Sequence, residues 1–130
     1  MSTSLTQRRA IAILVTLEAA SLVAMSAIHL ARSERNSGIP EAVICVVLAL
    51  GATAAFRATP RWRGIALSTV GFAIAGFLLG LSITASSGDV ANLAYHATVL
   101  PLLIATFVIA LRARALSARS PDAPPMRADG

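Results

Sequence analysis

Four apolar stretches, each close to the length that crosses a lipid bilayer, occupy most of the 130-residue chain. They cover residues 10–31, 39–56, 65–85 and 90–111. A spanning helix needs about 20 mostly apolar residues, and only helices or closed barrels satisfy their backbone hydrogen bonds inside lipid. The connecting segments are short, so consecutive spans must be antiparallel neighbours. We therefore predict an all-α fold, an integral membrane up-down four-helix bundle.

The composition predicts one membrane domain and a short tail. Charged residues make up 13% of the chain, whereas a soluble domain has about 25%. Residues 1–116 are expected to form the four-helix transmembrane domain. Residues 117–130 carry three prolines among Ser, Ala, Arg and Asp. Such a segment buries too little apolar surface to fold, so we expect a disordered cytoplasmic tail.

The basic residues, all arginines, lie outside the four stretches and predict the orientation. Nine lie on the side that holds both termini, and two, Arg32 and Arg35, lie on the other. Short cytoplasmic loops carry the excess of arginine in membrane proteins. We therefore expect a multi-pass protein of the cytoplasmic (inner) membrane with both termini in the cytoplasm. Because the arginines cluster beside the spans, the net charge of +5 suits lipid headgroups and not nucleic acid.

Small residues on the third span predict a close helix contact. Gly76 and Gly80 form a G-x-x-x-G pattern, which allows another helix backbone to approach. The partner is either a neighbouring span or a second membrane protein, including a second copy of this chain. The second span begins Ile39-Pro40-Glu41. Proline suits the first helical position, which places Glu41 in the first turn.

Polar side chains within the spans need a reason, because burying them in lipid is costly. At about 100° per residue, Glu18, Met25 and His29 share one face of the first helix, with Ser21 beside it. Asn92 and His96 share a face of the fourth helix. We predict an outward-facing polar pocket, walled by the first, second and fourth helices. Its candidate residues are Glu18, Ser21, Met25, His29, Glu41, Asn92 and His96.

Several of the polar residues in and beside the spans also have a purely structural interpretation. Glu41 suits a first-turn acid at headgroup level, and His29 suits an interfacial histidine. Asp89, which follows a Ser-Ser-Gly turn, suits an N-cap of the fourth helix. Ser21 can bond back to its own helix, and Tyr95 suits an aromatic belt at the membrane surface.

Two groups of functions fit these features; the first is our prediction and the second is the alternative. The first is an accessory or interaction subunit that binds other membrane proteins through the glycine face. The second is a haem- or metal-binding protein, or a small-molecule or proton pathway, that uses Glu18, His29 and His96. We predict no cofactor for the accessory subunit; in the alternative, haem or copper would be the cofactor, with His29, His96 and the lone Cys45 as candidate ligands. No phosphate loop, metal-spacing motif or activated nucleophile indicates an enzyme.

In length, layout and phrases such as Ile39-Pro40-Glu41 and Tyr95-His96, the chain resembles small, uncharacterised four-span membrane proteins of actinobacterial type. The resemblance implies the same four-span architecture. It implies no activity and no site residues.

Overall fold

Four α-helices make up the structure, a computed structural model that describes residues 2–118, with side chains for residues 5–86 and 88–113. The helices are α1 (Ser2–Ala31), α2 (Arg35–Phe56), α3 (Trp62–Ser87) and α4 (Val90–Ala118). All four are long and apolar enough to cross a membrane. The predicted all-α four-helix bundle is therefore confirmed, and the chain has the build of a multi-pass membrane protein.

The connections between helices are short and explain the antiparallel order. Only residues 32–34, 57–61 and 88–89 separate consecutive helices. Gly88 ends α3 with a φ of +74°, a left-handed conformation that glycine adopts without steric cost. The next residue, Asp89, accepts a hydrogen bond at its Oδ1 from the backbone N–H of Asn92, at 3.1 Å. The predicted N-cap at Asp89 is therefore confirmed.

Each helix packs against its sequence neighbours, and α4 closes the bundle against α1. The two ends of the bundle differ. At one end α1 leads into α2 and α3 leads into α4, and we call this the two-loop end. The other holds the start of α1, the α2–α3 loop and the end of α4, and we call it the arginine-rich end. Small side chains bring the helices close: Ser26 of α1 donates to the Gly38 carbonyl of α2 at 2.8 Å.

The interior and the exterior of the bundle are both apolar. Side chains from all four helices fill the core, among them Leu22, Leu48, Phe77 and Leu103. Large apolar side chains also cover the outer surface. A soluble protein rarely exposes a contiguous apolar surface of this extent, so the exterior is suited to lipid.

The helices extend beyond the apolar stretches from which they were predicted. The second helix begins at Arg35 and not at Ile39, so Pro40 lies inside it and Glu41 is not in its first turn. Hydropathy marks where lipid contact begins, whereas a helix continues into the headgroup region as long as its backbone bonds persist. Similarly, α4 extends to Ala118, so residues 117 and 118 of the predicted tail are helical. Residues 119–130 lie outside the described part of the chain.

Candidate functional site

A cavity of about 590 Å³ lies between α2 and α3, near the two-loop end. We call it the α2–α3 groove. Its rim is formed by apolar side chains that are between 49% and 65% exposed: Ile39, Val43, Phe72, Leu79 and Ile83. The volume is typical of small-molecule sites, which measure about 300–1,000 Å³. Because the rim lies on the outer surface of two apolar helices, the groove opens sideways toward lipid.

The inner side of the groove carries four buried polar residues, which we call the polar floor: Glu41, Thr84, Asn92 and His96. They come from α2, α3 and α4. Glu41 and His96 each lie six residues into their helices, about 9 Å from the two-loop end at 1.5 Å per residue. The groove therefore combines apolar walls with a polar interior.

Asn92 connects α4 to α3 and keeps one oxygen unpaired. Its Nδ2 donates to Thr84 Oγ1 at 3.4 Å. Its Oδ1 is buried and has no hydrogen-bond partner among the described residues. A buried polar atom without a partner costs about 1–3 kcal/mol, and such atoms are rare in folded proteins.

His96 is held between its own helix and α3. Its Nδ1 lies 2.9 Å from the backbone oxygen of Asn92, and its ring packs 5.0 Å from the ring of Phe77. Its Nε2 faces Gly80, where an added Cβ would lie only 2.7 Å away. Glycine at position 80 therefore leaves the room that the imidazole occupies.

Glu41 takes part in a three-residue cluster at the two-loop end. His29 Nδ1 pairs with Glu34 Oε2 at 2.5 Å, and His29 Nε2 lies 3.5 Å from Glu41 Oε1. The second contact has ion-pair distance without hydrogen-bond alignment, and Glu41 Oε2 is buried without a partner among the described residues. One imidazole is therefore placed between two carboxylates.

The predicted pocket residues separate into different parts of the bundle. Glu41, Asn92 and His96 line the groove, and His29 lies beside them through Glu41. Met25 is half-buried on α1. The hydroxyl of Ser21 donates to the backbone oxygen of Glu18 at 2.8 Å, as its structural interpretation predicts.

Glu18 lies between α1 and α4. Thr106, which is 1% exposed, donates to Glu18 Oε1 at 2.7 Å. The other carboxylate oxygen is buried and has no partner among the described residues. The two residues are 88 positions apart in the sequence, so this hydrogen bond links the first helix to the last.

The walls of the cavity differ from the prediction. The sequence placed a pocket among the first, second and fourth helices, but the α2–α3 groove is lined by α2, α3 and α4. Helix α1 packs against α2 instead, as the bond from the Cys45 thiol of α2 to the backbone oxygen of Ala19 in α1, at 3.4 Å, illustrates. Tyr95 also differs from its prediction. Its hydroxyl is buried and its ring packs 5.9 Å from that of Phe77, so it does not belong to an aromatic belt.

The glycine face of α3 contacts the chain's own helices. A Cβ at Gly76 would lie 2.6 Å from Ile44 Cδ1 of α2, and one at Gly80 would meet His96 of α4. Both glycines therefore accommodate side chains within the bundle.

The candidate metal and haem ligands do not converge. His29 Nε2 faces α2, whereas His96 Nε2 faces α3. Cys45 bonds to a backbone oxygen of α1. Within the described residues, no group of three or more His, Cys, Asp or Glu side chains is arranged to hold a metal ion.

Three polar residues of these clusters were not singled out from the sequence: Glu34, Thr84 and Thr106. Glu34 lies in a loop, where a charge is ordinary. The two threonines lie in spans, where a hydroxyl usually bonds to its own helix. A weak signal was present only for Thr106, which interrupts a long apolar run.

Comparison of the chain with models of known protein families, with curated proteins and with solved structures finds no match.

Proposed function

We propose that this chain is a multi-pass membrane protein that binds a small amphipathic molecule in the α2–α3 groove. The observation that carries the proposal is the pair of buried acceptor atoms on the polar floor, Glu41 Oε2 and Asn92 Oδ1, which have no partner among the described residues. Leaving them unpaired costs free energy. A ligand with hydrogen-bond donors at one end supplies the missing partners.

The apolar part of the ligand follows from the rim. Ile39, Val43, Leu79 and Ile83 face outward on helices of membrane-spanning length. A hydrocarbon chain in the bilayer reaches the groove between α2 and α3 without crossing water. The ligand therefore enters sideways, with its polar end inward and its chain along the rim.

The orientation of the bundle gives the leaflet from which the ligand enters. Within the described residues, the arginine-rich end holds seven arginines and the two-loop end holds two. We infer from this excess that the arginine-rich end is cytoplasmic and that the chain lies in the cytoplasmic membrane. The groove then opens to the outer leaflet. A reporter fused after Gly130 is expected to be active only in the cytoplasm, and activity only outside the cell would overturn this orientation.

The other functions have less support. An accessory subunit would bind its partners through Gly76 and Gly80, but these glycines face Ile44 and His96 of the same chain. A haem or metal site would require ligands that converge. A proton pathway would begin at Glu18, which pairs with Thr106 and is not a lining residue of the groove.

The proposal is tested by tryptophan substitutions that close the opening of the groove. Val43 and Val46 are α2 valines that are 49% and 62% exposed, and of the two only Val43 lines the groove. Val43→Trp places a large ring across the opening, and Val46→Trp places the same ring against lipid elsewhere. Both proteins are purified in mild detergent, and the small molecules that remain bound are extracted and quantified by mass spectrometry.

We expect the wild type and Val46→Trp to retain the same amphipathic molecule, and Val43→Trp to lose it. A second pair tests the opposite wall: Ile83→Trp lies on the rim, and Leu78→Trp is its control outside the groove. Equal retention by the rim variants and their controls would overturn the proposal. So would a wild-type protein that retains no molecule beyond bulk lipid and detergent.

A further inference from the structure

The hydrogen-bonding roles of the polar floor indicate the chemical class of the ligand's polar end. Resting on the proposed function, we infer that this end is a cationic amine, carried on a hydrocarbon chain that is dissolved in the bilayer. The inference depends on which floor atoms donate and which accept.

His96 presents an acceptor. Its Nδ1 lies 2.9 Å from the backbone oxygen of Asn92, and a carbonyl oxygen can only accept. Nδ1 therefore carries the hydrogen, and in the neutral ring Nε2 carries a lone pair. None of the described residues donates to Nε2, which lies beside Gly80 on the groove wall.

Asn92 also presents an acceptor. Its two N–H donors belong to Nδ2, which is directed at Thr84 Oγ1. In this orientation the Thr84 hydroxyl accepts from Nδ2. Oδ1 is consequently the atom left without a partner, on a side chain that is 8% exposed.

The α2 wall adds further acceptors. Glu41 is 6% exposed, and its Oε2 has no partner among the described residues. One position earlier, Pro40 has no N–H to donate to the carbonyl oxygen of Asn36, one helical turn away. Asn36 and Pro40 both line the groove. Residues that line the groove on α2 and α4 therefore carry oxygen and nitrogen acceptors.

The charge near the floor is also unbalanced. Among the described residues, His29 is the basic side chain within ion-pair distance of Glu41, and it is already paired with Glu34. Two carboxylates share one imidazole, so even an imidazolium leaves one negative charge over when both carboxyls are ionised. A primary ammonium has three N–H donors and one positive charge. It satisfies the acceptors and the charge together, whereas a phosphate or carboxylate headgroup brings only further acceptors and negative charge.

The test uses three probes with the same chain: decylamine, decanol and decanoate. Binding to the full-length protein in phosphatidylcholine nanodiscs is measured by native mass spectrometry. We expect wild-type protein to bind decylamine about ten-fold more tightly than decanol, as a hydrogen bond to a charged group predicts. Decanoate is expected to bind most weakly. The preference for the amine should disappear in Glu41→Gln, which keeps the shape of the side chain and removes its charge.

The outcomes separate this inference from the proposed function. Equal binding of all three probes, abolished by Val43→Trp and kept by Val46→Trp, would overturn the amine inference and leave the groove as a ligand site. Tightest binding of decanoate would also overturn it. Failure of all three probes to bind would overturn the inference and the proposed function together. The order of the probes on the wild-type protein decides the matter even if Glu41→Gln does not fold.

Discussion

The hydrogen bond between Glu18 and Thr106 is expected to stabilise the packing of the first helix against the last. Thr106→Val removes the hydroxyl that donates to Glu18 Oε1 at 2.7 Å and preserves the branched shape of the side chain. Because Glu18 Oε2 already lacks a partner among the described residues, the variant leaves both oxygens of a buried carboxyl group unpaired.

The expected cost follows from two contributions. Side-chain hydrogen bonds between membrane helices contribute about 0.6–1.7 kcal/mol. Leaving a buried polar group unsatisfied raises the cost toward about 1–3 kcal/mol. We expect Thr106→Val to lower the free energy of unfolding by about 2 kcal/mol, which corresponds to about a 30-fold change in the unfolding equilibrium constant.

The assay is reversible unfolding in mixed micelles of mild detergent and dodecyl sulfate, followed by the fluorescence of Trp62. This residue is the chain's single tryptophan and packs against the core. Thr98→Val is the matched control, because Thr98 lies on the same helix, is exposed and bonds only to its own backbone at Ala94. The control should change the free energy of unfolding by less than about 0.5 kcal/mol.

A double-mutant cycle isolates the pair. Glu18→Leu combined with Thr106→Val replaces both partners with apolar groups, which is often nearly neutral. The double variant should therefore be more stable than Thr106→Val alone. If Thr106→Val and Thr98→Val shift the unfolding midpoint equally, or if the two substitutions add without coupling, the hydrogen bond does not stabilise the bundle and the reasoning is refuted.

Two further predictions use the same unfolding assay. Gly80→Ala should lower the free energy of unfolding by about 1–3 kcal/mol, because the added Cβ would lie 2.7 Å from His96 Nε2. Gly64→Ala is the control and should leave the free energy of unfolding unchanged, because its Cβ would meet nothing within 4 Å. Equal effects of the two substitutions would contradict the packing described. Asp89→Ala should lower the free energy of unfolding by about 1 kcal/mol, because it removes the acceptor of the Asn92 N–H. Asp89→Asn keeps an acceptor oxygen and should lower the free energy of unfolding much less. An Asp89→Asn variant as unstable as Asp89→Ala would show that the capping bond contributes little.

Features that depend on local chemistry were accessible from the sequence. The helices, their number and their antiparallel order follow from the length of each apolar stretch and the shortness of the loops. The capping role of Asp89 follows from its position after Gly88, and the return of the Ser21 hydroxyl to its own helix follows from its residue type. Helix ends were less accessible, since hydropathy does not mark where a helix stops in the headgroup region. Arg35 therefore begins α2, and Pro40 lies inside it.

Four membrane-length helices, and the titratable side chains that interrupt them, can be predicted without any knowledge of the fold. The free energy of transferring a residue into lipid depends mainly on that residue, so it can be summed along each apolar stretch. Which of these side chains contact each other depends on how the helices pack. His96 faces α3 because Gly80 leaves room for its ring, and Glu18 meets Thr106 because the last helix closes against the first. Such contacts depend on the rotation of each helix and on packing between residues far apart in sequence, which no periodicity within one span records.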